Sequence, residues 1–457
     1  MMVYKNTLEL IGNTPMIEVG CFDTGVSRLF LKLENQNPGG SIKDRIGLSM
    51  IEAAEKEGKI KPGCTLIEAT AGNTGLGLAL TAAKKGYNLL LVIPDKMSQE
   101  KILHLKALGA KIIITRSDVE KGHPEYYQDL AKSIADETPG SYYIDQFNNP
   151  ANPLAHERTT GPEIWEQSGH NIDAVVVGIG SGGTIGGLTN FFKRVNPDIE
   201  IILADPSGSI LADYVNDGTM KTPGSWLVEG IGEDFIPPLS DFSLVKKAYS
   251  VTDEESFVTV RKLLKSEGIL AGSSSGTLIT AALKYAKEQS EPKNIVTFVC
   301  DSGNKYLSKM FNDYWMIDAG FFNVKQTNTA ADLISRKYSE KAVVTVMPSD
   351  TLSVAYSRMK LYEISQLPVL SVDKFVGIID ESDILLALED GNKENFFLPV
   401  SDYMTRDVMS VLPDDPIEQV VPILKKGFAA VVKDETSFYG LITRFDFLNY
   451  LRRKNTR

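Results

Sequence analysis

The sequence predicts an α/β chain with mostly parallel sheets, followed by a smaller module built from a tandem repeat. Three observations carry that prediction. Short, nearly continuous apolar runs alternate with helical patterns through the first two-thirds of the chain, as expected of parallel strands buried on both faces. Glycine-rich loops stand between the strand and helix patterns, where such folds bind ligands. Near residue 315 the character changes, and two weakly similar stretches of about 60 residues follow one another.

In chain order, Ile112–Ile114, Ala174–Val177, Ile201–Leu203 and Ile295–Val299 read as buried strands. Gly75–Lys85 and Gln99–Leu108 have helical spacing. Tyr314-Trp315-Met316 precedes a polar stretch from Lys325 to Asp332 that reads as a linker with a short helix. Each repeat then predicts a strand-like start, a helix, two strands and a final helix. The first repeat contains Pro368-Val369-Leu370, Phe375–Ile379 and Asp380–Leu385; the second contains Ala429–Val432, Tyr439–Ile442 and Thr443–Leu448. The expected organisation is a catalytic domain over 1–316, a linker over 317–335, and repeat domains over 336–395 and 396–457.

Composition narrows the function. The chain has 457 residues, enough for about two to four domains, and its 43% hydrophobic and 23% charged content is that of an ordinary globular protein. A net charge of −11 argues against general nucleic-acid binding. Cys21, Cys64 and Cys300 are too few and too scattered for a disulfide framework, and four histidines add no metal pattern. A reducing, cytoplasmic setting is expected. The first residues lack the apolar core of a leader, and the six glycines within 174–192 read as strand, loop and helix rather than a membrane span.

Four loops carry candidate chemistry. Asn37–Ile46 places Lys43 just after a glycine turn at a helix start. The helix N-terminus and nearby Arg45 there favour a neutral amine able to form a Schiff base. Thr70-Ala71-Gly72-Asn73-Thr74-Gly75 opens a helix with free amides and hydroxyls, an anion site for a carboxylate or a phosphate. Gly178–Thr184 follows an apolar strand and makes a phosphate cradle without the lysine of a P-loop. Gly272–Gly276 presents serines, among them Ser274, that can meet a ring nitrogen without imposing charge. Taken singly, the first, second and fourth of these strings also describe a surface lysine, a plain helix cap and a serine-rich cap. Taken together they fit one ligand: pyridoxal phosphate bearing an amino acid.

At these residues the chain resembles the fold-type II pyridoxal-phosphate enzymes. The match is to the cystathionine β-synthase family and its relative, the O-acetylserine sulfhydrylases. The resemblance covers roughly residues 4–316, and residues 335–455 resemble a pair of CBS domains (a Bateman module), the domain order of the synthases. Gly40-Ser41-Ile42-Lys43-Asp44-Arg45, Pro94–Lys101, Asn152-Pro153-Leu154-Ala155-His156 and Glu229–Phe235 resemble synthase strings; Gln146–Pro153 and Thr159–Trp165 fit either family. The resemblance implies two open, parallel-type sheets wrapped by helices, plus the Bateman module.

The resemblance also implies roles. Lys43 is the Schiff-base lysine and Asn73 meets the ring hydroxyl. Gly180, Ser181, Gly182, Gly183 and Thr184 hold the phosphate, and Ser274 meets the pyridine nitrogen. Thr70, Gly72, Thr74 and Gln146 bind the substrate carboxylate, with Gly230 in the loop that closes over substrate. Two departures stand out: Ala71 where the family has serine, and Glu233 where the eukaryotic synthases place tyrosine. The haem-binding extension of the animal enzymes has no counterpart here, so no haem is expected. The tail implies an adenosine-containing effector, S-adenosylmethionine or an adenine nucleotide. Its site would centre on Thr443 and Asp446, because Asp380 replaces the hydroxyl in the first repeat. The module could equally serve dimer contacts only.

The expected reaction is replacement of the serine hydroxyl by homocysteine to give cystathionine and water, in a homodimer or higher homo-oligomer, with hydrogen sulfide as a side product. The alternatives are an O-acetylserine sulfhydrylase with a regulatory tail and a nucleotide-sensing protein with an inactive enzyme domain. The intact Lys43, Asn73, glycine loop and Ser274 weigh against the second.

Overall fold

The computed structural model describes residues 3–455, apart from Ala71, Lys96, Ser98, residues 323–326 and Asp390. The departure noted at Ala71 thus lies outside the described residues, as do Lys325 and Gln326 of the linker. The chain divides into two compact units, Met1–Phe311 and Asn312–Arg457.

The first unit holds two sheets. The larger runs in the order β1 (Met16–Val19), β2 (Arg28–Leu33), β10 (Asn294–Val299), β7 (Ala174–Gly178), β8 (Glu200–Pro206), β9 (Val245–Val251). Only the β1–β2 pair is antiparallel. The smaller sheet, in the order β5 (Lys111–Thr115), β4 (Asn88–Pro94), β3 (Thr65–Ala69), β6 (Ser141–Tyr143), is parallel throughout. The four strand runs read from the sequence fall on β5, β7, β8 and β10. The valines and isoleucines of β7, β8 and β10 are buried, as parallel strands covered on both faces require. Ile112–Ile114 are not, because β5 is an edge strand on which Ile112 and Ile113 are half-buried and Ile114 is exposed.

Helices α1 (Lys43–Lys56) and α2 (Asn73–Lys85) cross closely, because Gly47 and Gly77 face each other's backbone: a Cβ on Gly77 would stand 2.5 Å from the Lys43 carbonyl oxygen. Ile46, Met50, Leu76 and Leu78 fill the core beneath them. Next come α3 (Gln99–Ala107), α4 (Tyr127–Glu137), α5 (Ala151–Ala155), a π-helical stretch (His156–Thr160), α6 (Gly161–Gln167), α7 (Gly183–Val195), α8 (Leu211–Asp217), α9 (Asp253–Glu267) and α10 (Ser273–Lys287). The loops after β2, β3, β7 and β10 lie at the carboxyl ends of parallel strands, the usual ligand side of such sheets.

A buried ion network fixes the start of α1. Arg45 donates to both oxygens of Glu34, at 2.7 and 2.8 Å, and to both oxygens of Glu163, at 2.7 Å each. Lys32 donates to Glu163 (2.8 Å), Gln167 and the Thr14 carbonyl. Arg45 and Glu34 are essentially inaccessible to solvent. The network ties α1 to the end of β2 and to α6, two residues from Lys43.

The second unit begins with α11 (Asp313–Asp318), capped by Asn312. Its first repeat comprises α12 (Leu352–Tyr362), the antiparallel pair β11 (Gln366–Ser371) and β12 (Lys374–Asp380), and α13 (Glu381–Ala387). Its second comprises β13 (Ser410–Val411), α14 (Ile417–Lys425), β14 (Ala430–Lys433), β15 (Phe438–Ile442) and α15 (Arg444–Asn455). The expected strand opening the first repeat is reduced to a single bridge, Val346 to Val369. The stretch read as linker behaves differently at its end. Ala330, Leu333 and Ile334 are buried in the core of the second repeat, with Val411, Val420 and Ile442. The polar run before them hid that apolar anchor.

Candidate active site

The Lys43 loop is held both by its own turn, the Gly40 amide donating to the Asn37 carbonyl at 2.8 Å, and by its neighbours. Gly40 takes a positive φ of 76°. Asp44 accepts the Gly39 amide (2.5 Å), the Ile42 amide donates to the Cys300 carbonyl (2.8 Å), and the Ser302 amide donates to the Gly40 carbonyl (3.0 Å). The lysine is thereby strapped to the segment after β10. Burial pushes the Lys43 amine below the ordinary lysine value, against the opposing pull of Cys300, Asp301 and Glu233. Burial also raises the Cys300 thiol to about 12 and the Asp44 carboxyl to about 7.

Asn73 opens α2 with both ends of its amide fixed. Its Nδ2 donates to Asp301 (2.7 Å), and its Oδ1 accepts from Lys305 Nζ (2.9 Å). An amide nitrogen carries two hydrogens, so one remains for the cavity that Asn73 lines. Lys305 is buried and also donates to the carbonyls of Gly39 and Gly40. Tyr306 donates to Asp301 at 2.7 Å, and Lys101 donates to Tyr306 at 2.9 Å.

Thr70 Oγ1 accepts from the amides of Gly72 and Gly75. Gly72 has φ 122° and lies against the Lys101 side chain, where a Cβ would sit 2.7 Å from Cδ. The Asn73 and Thr74 amides, at the start of α2, are the open donors of an anion site there. Gln146 lines the same cavity, but its amide turns inward. Its Nε2 donates to the Ala69 carbonyl (2.9 Å) and approaches Glu68 (3.4 Å), while its Oε1 accepts the Thr74 hydroxyl (2.7 Å). A direct bond from Gln146 to a substrate carboxylate needs a different side-chain position.

Gly178, Gly180, Ser181 and Thr184 line the cavity, whereas Gly182 and Gly183 do not. Gly182 (φ 84°) packs on Ser240, and a Cβ on Gly183 would fall onto Asn152 Oδ1. These two glycines let the chain turn into α7 against its neighbours. A Cβ on Gly180 would stand 2.7 Å from the Gly230 carbonyl, and the Gly232 amide donates to the Ile179 carbonyl (2.8 Å). The 229–233 segment thus lies directly on the glycine loop. Glu229 anchors it, accepting from Lys101 (2.9 Å) and Lys309 (2.7 Å).

Lys43, Thr70, Gly72, Asn73, Thr74, Gln146, Gly180, Ser181, Thr184, Gly230 and Ser274 all line one cavity of about 300 Å³. Glu233, Tyr126, Tyr127 and Arg116 are further along its wall. Thr443 and Asp446 belong to the second unit, where they cap α15: the Thr443 amide and hydroxyl both reach Asp446 Oδ2 at 2.6 Å. Asp380 and Asp383 form the corresponding cap of α13. No metal-holding group of His, Cys, Asp or Glu occurs among the described residues, and no helix among them is long and apolar enough to cross a membrane.

Sequence reasoning missed Glu68 under Gln146, Asp301, Lys305 and Tyr306 behind Asn73, and the part Lys101 plays on the cavity wall. Apart from the Tyr306–Asp301 bond, five positions apart, the partners named lie 78 to 232 positions away, so no local pattern marks them. Cys300 gave a weak signal, as a cysteine ending an apolar strand next to an aspartate.

The residues fit pyridoxal phosphate. A lysine of lowered basicity, an amide with one hydrogen spare, the Gly180, Ser181 and Thr184 positions of the glycine loop and a buried serine hydroxyl converge on one cavity. The family model described as pyridoxal-phosphate dependent enzyme matches residues 7–301, and that of the CBS domain matches 332–390 and 400–453. The chain is 37% identical over 474 residues to cystathionine β-synthase of Dictyostelium discoideum, an alignment covering 100% of this chain and 94% of that protein. It is 45% identical over 312 residues to the O-acetylserine dependent cystathionine β-synthase of Bacillus subtilis, covering 68% of this chain and 98% of that protein. The crystal structure of O-acetylserine dependent cystathionine β-synthase from Helicobacter pylori matches with a TM-score of 0.62 at 40% identity, over 68% of this chain and 99% of that one. The chain belongs to the pyridoxal-phosphate-dependent enzymes and, over its full length with the CBS-domain pair, to the cystathionine β-synthase family.

Proposed function

We propose that this pyridoxal-phosphate-dependent lyase replaces the β-hydroxyl of serine with the thiol of homocysteine, forming cystathionine and water. The observation that carries the reading is the convergence of Lys43, Asn73, Gly180, Ser181, Thr184 and Ser274 on one cavity. The cofactor, when bound, supplies the electron sink that stabilises charge at the substrate α-carbon. The chain's residues do the rest. Lys43 takes the α-proton and returns it, which requires a neutral amine. Gly180, Ser181 and Thr184 hold the phosphate while Gly182 and Gly183 shape the turn, Asn73 directs its remaining N–H at the ring oxygen, and Ser274 offers a neutral hydroxyl to the ring nitrogen. The open amides of Asn73 and Thr74 receive the substrate carboxylate. The 229–233 segment, latched by Lys101 and Lys309, excludes water, and its Glu233 suits the ammonium of a second amino acid.

A second reading rests on the 45% identity to an enzyme named as O-acetylserine dependent. In that reading acetate leaves instead of water, and the thiol is unchanged. Product analysis by mass spectrometry decides between them. Serine with homocysteine is expected to yield cystathionine at least as fast as O-acetylserine with homocysteine. Cystathionine only from O-acetylserine would favour the second reading. Cysteine from O-acetylserine and sulfide as the dominant product would favour a sulfhydrylase with a regulatory tail.

Thr443 and Asp446 are proposed to hold the ribose of an adenosine-containing effector. Binding must then compete with the α15 cap they form now. Titration calorimetry of the full chain is expected to give one saturable heat per chain with S-adenosylmethionine, AMP or ATP. Absence of heat with all three would favour a module used for contacts between chains.

A further inference from the structure

The stretch joining α5 to α6 is π-helical, His156–Thr160, a rare form that is often retained at functional sites. His156 and Thr160 are fully buried. The imidazole lies between two threonine hydroxyls: Nδ1 is 2.9 Å from Thr160 Oγ1, and Nε2 is 3.3 Å from Thr184 Oγ1. One turn earlier, Asn152 does the same for the other hydroxyl of the glycine loop, its Nδ2 donating to Ser181 Oγ at 2.9 Å. Gly187 permits the approach, since a Cβ there would stand 2.2 Å from the Pro153 carbonyl oxygen and 2.7 Å from the His156 Cβ. Asn152 and His156, at i and i+4, thus face both hydroxyls of the loop from one side, while Ser181 and Thr184 face the cavity from the other.

Counting hydrogens decides the roles. A phosphate of the bound cofactor only accepts, and each loop hydroxyl has one hydrogen to donate. That hydrogen is free for the phosphate only if the hydroxyl oxygen accepts from behind. Asn152 meets this condition with its amide. We propose that His156 is a positioning residue for the cofactor phosphate: its Nε2–H donates to Thr184 Oγ1 and aims the Thr184 hydrogen into the cavity. Nδ1 then accepts the Thr160 hydroxyl. Burial above all, with Lys43 and the Arg45 guanidinium nearby, keeps the ring neutral against the pull of Glu163, as one donor and one acceptor require. The inference rests on the reading of Gly180–Thr184 as the phosphate loop.

Three substitutions and one spectrum test it. Glutamine at 156 places an amide nitrogen near the Nε2 position, whereas asparagine reaches only as far as Nδ1. His156→Asn is expected to weaken pyridoxal-phosphate binding to the apoenzyme about five- to tenfold, the loss of roughly one hydrogen bond, and to shift the phosphorus-31 resonance of the holoenzyme. His156→Gln should stay within about twofold of the parent and keep its phosphorus shift. In a Thr184→Val background, His156→Asn should add no further loss, because the effect passes through Thr184. Loss fully retained in that background, or parent-like binding by His156→Asn, would overturn the proposal. If Thr184→Val alone changes neither binding nor the phosphorus shift, the phosphate-loop reading itself fails. Nitrogen-15 spectra of the unsubstituted holoenzyme need no variant to fold, and only four histidines must be distinguished. The His156 ring is expected as the Nε2–H tautomer; the Nδ1–H tautomer would contradict the proposal.

Discussion

Replacing Lys43 with alanine is expected to lower turnover about 10⁴-fold, the upper range for a positioned proton-transfer group, while cofactor still enters the site. Lys43 is the first residue of α1, and it lines the same cavity as Gly180, Ser181 and Thr184 of the glycine loop. The cavity's other lysines, Lys101 and Lys309, are already paired with Glu229, so neither is placed to substitute. The direction of the shift at Lys43 adds a pH expectation. Burial disfavours the charged amine, so the neutral form is reached at lower pH than for an ordinary lysine. The rate should therefore rise with pH through a limb below the ordinary lysine value of 10.5 and then level off. Steady-state kcat against pH, with the alanine variant beside it, checks both. Near-parental turnover in the variant, or a limb at the ordinary lysine value, would contradict the assignment.

The second large effect concerns stability. Arg45→Leu removes the cation shared by Glu34 and Glu163, both held within 2.8 Å of it. Glu34 then remains buried without its partner. Breaking a buried pair from one side typically costs about 3–5 kcal/mol, and urea unfolding of the holoenzyme should register a loss of that order. Replacing the pair together, Arg45→Met with Glu34→Leu, should cost clearly less than either single change, because no unmatched charge is left. A single-variant loss below about 1 kcal/mol, the level of an exposed pair, would mean that water reaches the network. Lys43 begins the same helix, so Arg45→Leu should also reduce turnover beyond what its loss of folded protein explains.

The sequence made the sheets and the cavity loops legible for a physical reason. Strands buried on both faces must be apolar at every position, so Val175–Val177 and Ile201–Leu203 announce themselves. Loops that turn sharply toward a ligand must use glycine, so Gly72 and Gly180–Gly183 do the same. Glu68, Asp301, Lys305 and Tyr306 left no such trace. They are polar residues whose burial follows mainly from partners distant in sequence, and in the sequence they look like surface. The same blindness applied to Gln146. Its place on the cavity wall was readable, but the inward turn of its amide depends on Ala69, Glu68 and Thr74 together. Ala330, Leu333 and Ile334 were hidden by length, since three apolar residues within and just after a polar run have no period to detect.

The central claim is that Lys43, among several buried lysines, is the one that carries the cofactor. Borohydride reduction of the holoenzyme followed by peptide mass spectrometry tests it directly, because reduction fixes the cofactor to the amine that holds it. The mass of a reduced phosphopyridoxyl group on Lys43, and on no other lysine, is the predicted result. The same group on Lys101, Lys305 or Lys309 would contradict the account.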